Sequence, residues 1–244
     1  MDDQVRLLAD WFRTNNWPVL PCPACSKGRL RAEDKNIQSE QSPSTYGWEH
    51  ADDGDPTDIR GLFHGLLYCS DGYCREQVVV VGDYAVQRDL VDDNLDNYYR
   101  VRMIHPPVEV VEVPESVPTS IRQTLVRAAG VAWRDPSAGI GLLRQSVERL
   151  MDERQISASR PSGGFRPLHE RITEFRSVEP DVADLLEAVK WVGNEGTHPG
   201  GLETSDFVEA ALLVELALNI LYRTDTSALQ ARARRIVAAK RWVP

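Results

Sequence analysis

The stretch Asp206-Phe207-Val208-Glu209-Ala210-Ala211-Leu212-Leu213-Val214-Glu215-Leu216-Ala217-Leu218-Asn219-Ile220-Leu221-Tyr222 decides the C-terminal half of the fold. Apolar residues fill it on nearly every side, so no polar stripe is left to face water. That is the pattern of a helix surrounded by other helices. Asp206, followed three residues later by Glu209, reads as its capping box. The chain has no run of about 18 apolar residues, so no membrane-crossing helix is expected.

Moving upstream, the 3.6-residue period persists. Ile121, Leu125, Ala128 and Ala132 form one stripe. Asp135-Pro136 supplies an N-cap and a first-turn proline for the next, which runs through Ile140, Leu143, Val147, Leu150 and Met151. After a Ser/Pro/Gly loop at 157–164, Leu168, Ile172 and Phe175 mark a shorter helix, and Val182, Leu185, Leu186 and Val189 a fourth. Downstream, Thr226 or Ser227 caps a last helix carrying Arg232, Arg234, Arg235, Lys240 and Arg241. Residues 118–244 are therefore expected to be an all-α bundle. Of its basic residues, Arg232, Arg235 and Arg241 are the candidates to touch nucleic-acid phosphates.

The N-terminal part reads differently. Cys22-Pro23-Ala24-Cys25, with Gly28 just behind, makes a tight knuckle, and Cys69-Ser70-Asp71-Gly72-Tyr73-Cys74 offers a second thiol pair. Four thiolates in two close pairs suit a tetrahedral structural zinc with every position filled by protein. A redox pair or four separate buried thiols are the alternatives, and Pro21-Cys22-Pro23 opens a helix poorly, against the redox one. Leu62–Tyr68 and the β-branched run Val78–Val81, read as a buried strand, flank the second pair. With residues 17–31 they predict a small antiparallel zinc ribbon. His64 is a conceivable substitute ligand that the four cysteines make unnecessary. Val5, Leu8, Ala9 and Phe12 predict an amphipathic helix over 2–14, and Tyr98–Met103 a further strand. Residues 33–58, with Trp48 and His50, read as a solvated excursion, and the aspartates of 86–100 as a solvated face without the glycine and closing glutamate of a calcium loop. Pro106 to Pro118 is a proline-punctuated linker whose Val108, Val110, Val111 and Val113 are expected to lie along the helices. The fold class is thus α+β. A zinc-ribbon-containing domain occupies 1–105, a linker 106–117 and a helical bundle 118–244.

Composition limits function. The 244 residues carry a net charge of −9, with 42% hydrophobic and 27% charged residues. That fits a globular protein and excludes a whole-surface basic footprint for nucleic acid. The acidic start Met1-Asp2-Asp3-Gln4 has no apolar signal core, so a cytoplasmic location is expected. Between two helical segments lies Lys190-Trp191-Val192-Gly193-Asn194-Glu195-Gly196-Thr197-His198-Pro199. A plain turn needs only Gly, Pro or Asn. The added carboxylate and imidazole raise the question of chemistry, against the plainer role of His198 as an anchor of the helix junction.

Trp133-Arg134-Asp135-Pro136-Ser137-Ala138, the Arg144…Glu148-Arg149-Leu150 segment, Gly193-Asn194-Glu195…His198-Pro199 and the helix to Leu221-Tyr222 resemble the bacterial domain of unknown function 4145 (DUF4145) over about residues 118–223. Members of that family occur alone or fused to restriction endonuclease subunits, and the family is similar to HEPN helical bundles. The resemblance implies a place in defence against foreign DNA and a homodimer through the bundle. Many HEPN bundles are metal-independent ribonucleases that use an arginine, a polar residue and a histidine. Asn194 and His198 match the last two, but Gly193 stands where the arginine belongs. Lys190, one turn earlier, is the candidate substitute cation, and Arg144 or Arg149 is a candidate from a facing helix. The gap favours no catalysis: a non-catalytic adaptor, associated with a defence-system protein or nucleic acid, through zinc ribbon and bundle. The alternatives are a ribonuclease using His198 and a structural oligomerisation subunit.

Overall fold

The computed structural model describes residues 3–25, 27–46, 54–89, 93–195, 201–222 and 227–240. It is an α+β protein: an antiparallel sheet followed by helices. The strands are β1 (Phe12–Arg13), β2 (Leu20–Pro21), β3 (Arg29–Gln41), β4 (Arg60–Cys69), β5 (Gln77–Arg88) and β6 (Leu95–His105), in spatial order β1-β6-β5-β4-β3-β2. β4, β5 and β6 alternate buried and exposed residues, because one face packs on the core and the other does not. Val78 and Val80 are fully buried, whereas Val79 is 38% exposed, so the valine run is amphipathic rather than a strand buried on both faces.

The inner face is closed by rings. Phe12, Trp17, Phe63, Tyr84 and Tyr99 form a chain of contacts with centroids 4.7–6.4 Å apart. Gly82 sits where no side chain fits: a Cβ there would lie 2.1 Å from the Arg100 carbonyl oxygen and 2.6 Å from the Phe63 ring. Here the β5–β6 register slips, with Val81 opposite Met103 and Gly82 opposite Val101. Arg102 is left as the extra residue of a bulge.

The expected N-terminal helix over 2–14 is only one turn, α1 (Asp3–Arg6), followed by a 3-10 turn at Leu7–Ala9. Val5 and Leu8 are buried as their spacing suggests, but Phe12 leaves the helix to pair with Tyr99, since the ring cluster buries it better. Residues 33–41 are strand, not excursion. They belong to β3, which pairs with β4 along its length apart from an irregularity between Ala32 and Ile37. Past its short pairing with β2 this is an edge strand, and its charges suit an edge exposed to water. Trp48 and His50 lie outside the described residues. Asp89 is not simply solvated either: its carboxylate pairs with Arg13 and accepts from the Tyr98 hydroxyl.

The linker valines lie along the helices as expected: Val108, Val110 and Val111 are buried, and the Glu112 N–H donates to the Glu215 carboxylate (2.8 Å). The helices are α2 (Thr119–Ala132), α3 (Pro136–Glu153), α4 (Leu168–Phe175), α5 (Pro180–Glu195), α6 (Thr204–Leu221) and α7 (Ser227–Ala239). The Asp135 carboxylate caps α3 by accepting from the Ala138 N–H (2.9 Å). α6 begins earlier than the sequence suggested: its capping box is Glu203 with Asp206, not Asp206 with Glu209. It is also not buried all round, because Leu216 and Ile220 are 50% and 43% exposed. No helix among the described residues is long and apolar enough to cross a membrane.

One buried charge ties the loop after α3 to α4. Arg171, 3% exposed, donates to the Ile156 carbonyl (2.9 Å), the Glu148 carbonyl (3.3 Å) and the Asp152 carboxylate (2.5 Å). Truncation leaves the Ile156 carbonyl without this donor, beside buried Leu150, while the Glu148 carbonyl keeps its bond within α3. Arg171→Ala is expected to cost about 2–4 kcal/mol in denaturant unfolding. A cost below about 0.5 kcal/mol would show that water replaces all three bonds.

Candidate metal centre and helical cleft

The first candidate site is where the turn after β2 meets the β4–β5 turn. β3 returns Gly28 alongside the first knuckle, and the Cys22 N–H donates to the Gly28 carbonyl (3.1 Å). The Cys69 N–H likewise closes the second knuckle on the Glu76 carbonyl (2.9 Å), and the Ser70 N–H bonds the Arg29 carbonyl (2.8 Å). These bonds bring four sulfurs together. The Sγ atoms of Cys22, Cys25, Cys69 and Cys74 all lie within 4.8 Å of one another. Cys22 to Cys74 is 3.8 Å and Cys25 to Cys69 is 3.7 Å, far longer than a disulfide. A tetrahedron with metal–sulfur bonds of about 2.3 Å has sulfur–sulfur edges of about 3.8 Å, so the four thiols fit a metal ion.

The groups around the sulfurs suit a bound cation as well. The Gly28 N–H points at the Cys25 sulfur (3.3 Å) and the Asp71 N–H at the Cys69 sulfur (3.4 Å). The Asp71 carboxylate in turn accepts from the Tyr73 N–H (2.8 Å) and the Cys74 N–H (3.3 Å), holding the second knuckle. Amide donation from Gly28 and Lys27 brings the Cys25 thiol down to about 7. At Cys69 the Asp71 amide acts downward, but burial and the other three thiols together push it up to about 12. Four thiols in one place cannot all ionise unless a cation joins them. Gly28 is required by space: a Cβ there would stand 2.3 Å from the Cys69 sulfur. His64 projects from the exposed face of β4, opposite Val81.

The second candidate is a cleft of ≈ 410 Å³ between α3, α4 and α5. Lys190 and Asn194 both line it, with Arg144 from α3 and His169 from α4. The sequence pairing of Lys190 with Asn194 is therefore a spatial one, as their separation by one helical turn requires. Lys190 is 6% exposed; its ammonium lies 3.7 Å from Glu187 and 3.8 Å from the centre of the Trp191 ring. Arg144 packs over Gly193, where an added Cβ would be 3.4 Å from its Cδ. It also lies 3.8 Å from Glu148, yet its Nε is shielded and has no hydrogen-bond partner among the described residues. Trp191, 57% exposed, forms one wall.

His198 lies outside the described residues, as does Arg241. Arg232 and Arg235 are exposed on α7. His169 is a cleft residue that no local pattern in the sequence marks. A histidine in the first turn of a short amphipathic helix has no local signature, and only the approach of α4 to α5 brings it into the cleft.

Residues 10–103 match the model of a domain of unknown function, DUF8608, so the sheet and its four cysteines coincide with one domain model. Residues 126–239 match that of a second domain of unknown function, DUF4145, which runs from within α2 to the end of α7. No curated protein and no solved structure matches the chain. The helical half of this chain thus carries the DUF4145 family match.

Proposed function

We propose that this chain is a zinc-stabilised, non-catalytic adaptor of a bacterial defence system, which holds a nucleic-acid phosphate in the α3–α4–α5 cleft of a HEPN-like bundle. Zinc is the metal best suited to four thiolates in a closed tetrahedral set, and such a set leaves no position for a substrate. It would make the knuckle end of the sheet a zinc ribbon.

The observation that carries the reading is the state of the two cations. Lys190 is already committed to Glu187 and Trp191, so it is a poor mobile stabiliser of transition-state charge. Arg144 stands over Gly193 and lines the cleft with its side chain 40% exposed and only a long 3.8 Å pairing to Glu148, so the open end of its guanidinium can take a phosphate oxygen. One guanidinium that binds, without the motif arginine in register, suits retention of nucleic acid rather than its cleavage. A homodimer would bury α6, where Leu216 and Ile220 are exposed one turn apart. The exposed arginines Arg232 and Arg235, with Arg241, would extend the phosphate track.

The ribonuclease reading is the second, favoured by Arg144 reaching the Gly193–Asn194 corner from the facing helix. One experiment separates them: single-stranded RNA incubated with the pure protein in EDTA. Retention without cleavage is expected, weakened roughly 10-fold by Arg144→Gln, the loss of one charge-assisted bond of about 1.5 kcal/mol. Products ending in a cyclic phosphate, abolished by His198→Ala, would establish the ribonuclease instead. Absence of both binding and cleavage would leave the oligomerisation subunit.

A further inference from the structure

The outer face of the sheet is unusual for one turned to water. An antiparallel sheet with a single covered face is expected to be polar on the other. Here Leu62 is 62% exposed, Met103 44% and Val79 38%, and cross-strand pairing sets Val81 beside Met103. The start of α3 and the end of α2 stand over this patch. Together they enclose a cleft of ≈ 670 Å³ whose apolar lining is Leu62, Val81, Met103, Val131 and Ala138. That volume falls within the about 300–1,000 Å³ of small-molecule sites, which are apolar hollows with a few placed polar groups.

The polar groups define the ligand further. Asp83 and Arg102 neutralise each other across 2.7 Å. The Asp135 carboxylate is occupied at the N-terminus of α3, where the helix dipole offsets its charge. The remaining charge is Arg134, exposed at the rim, whose side chain has no ion-pair or hydrogen-bond partner among the described residues. An apolar floor with one uncompensated guanidinium complements an apolar body bearing one anionic group.

We propose that the cleft between the outer face of β4–β5–β6 and α2–α3 binds a small apolar carboxylate, its hydrocarbon on Leu62, Val81 and Met103 and its anionic group on Arg134. The site is independent of the metal centre and of the α3–α4–α5 cleft, and lies on the opposite face of the sheet from its ring-filled core.

The test uses anilinonaphthalenesulfonate, which carries an apolar body and a single anion, and its displacement from the full-length protein. Saturable binding to one site per chain is expected. Decanoate should displace it roughly 10-fold better than decanol, the neutral molecule of similar length. Met103→Glu and Val131→Asp, both at exposed positions that tolerate charge, are expected to abolish binding while leaving the unfolding midpoint near that of the parent. Arg134→Gln is expected to erase the preference for decanoate over decanol. Dye binding that persists unchanged in Met103→Glu would overturn the site, and a preference surviving Arg134→Gln would overturn the anionic ligand. Concentration-dependent dimerisation that Met103→Glu dissolves would show instead that a second copy covers the face.

Discussion

Purified protein is expected to carry one zinc per chain by elemental analysis, and Cys22→Ser to lose it. Structural zinc contributes on the order of 10 kcal/mol to folding small metal-bound units, comparable to the whole stability of an ordinary domain. The knuckles adjoin buried Leu20, Leu30 and Leu67, so loss of the ion should release the β2–β3 corner of the sheet, and not merely two loops. The readout is rapid proteolysis within residues 17–76 after EDTA treatment or in Cys22→Ser. Because Cys22→Ser also fails if the corner simply misfolds, Gly28→Ala is the sharper variant. It keeps all four thiols and the Gly28 amide, but its methyl must displace a sulfur that lies 2.3 Å from the Cβ position. Disturbance of the groups that orient metal ligands typically costs roughly 10–100-fold in affinity, and a loss of that size is expected for zinc. Protein that purifies without metal and resists protease equally with and without EDTA would refute the metal centre.

The second large effect lies in the helical core. Trp133 is fully buried just beyond α2, and its ring meets that of Phe207 on α6 edge to face, with centroids 6.3 Å apart. α3 closes on the same spot, where Gly139 leaves no room: a Cβ there would be 2.7 Å from the Ala132 Cβ and 3.1 Å from the Phe207 ring. Three helices therefore share one aromatic centre. Trp133→Ala is expected to cost about 3–5 kcal/mol, the sum of lost apolar burial and a cavity that a three-way crossing cannot collapse. Trp133→Phe should cost far less, under about 1.5 kcal/mol. It shortens the ring but also removes an indole N–H that is buried without a partner among the described residues. Urea unfolding midpoints of the two variants check this. A cost for Trp133→Ala no larger than for Trp133→Phe would mean that the core does not rest on this ring.

The helical half was legible because burial in a helix leaves a long repeating trace. The stripes Ile121–Ala132 and Ile140–Met151 are buried where their spacing puts them. Strand β3 was illegible for the opposite reason. Arg31, Glu33 and Lys35 alternate on the exposed side, but Asp34 and Asn36 at the alternate positions are polar as well, so no apolar stripe marks the strand; an edge strand is held by backbone bonds to β4 more than by side-chain burial. Phe12 misled because one turn of helix and the approach to a strand share the same few apolar positions, and only the ring cluster chooses between them. The capping box of α6 shifted by one turn because Glu203 and Asp206 satisfy it as well as the pair read from sequence.

The cysteines divide in the same way. Spacing alone identified two thiol pairs. That both pairs meet within 4.8 Å depends on β3 and β4 pairing antiparallel from Leu30–Cys69 outward, a contact between segments about forty residues apart. What the sequence by itself determined is the division into an apolar helical half and a cysteine-bearing sheet half, because periodicity and composition are local. Only the tertiary structure decided that Arg144 from a distant helix stands over Gly193, that Lys190 is already held, and that the outer sheet face is left apolar. Each of those depends on which surfaces meet, and no short-range pattern records that.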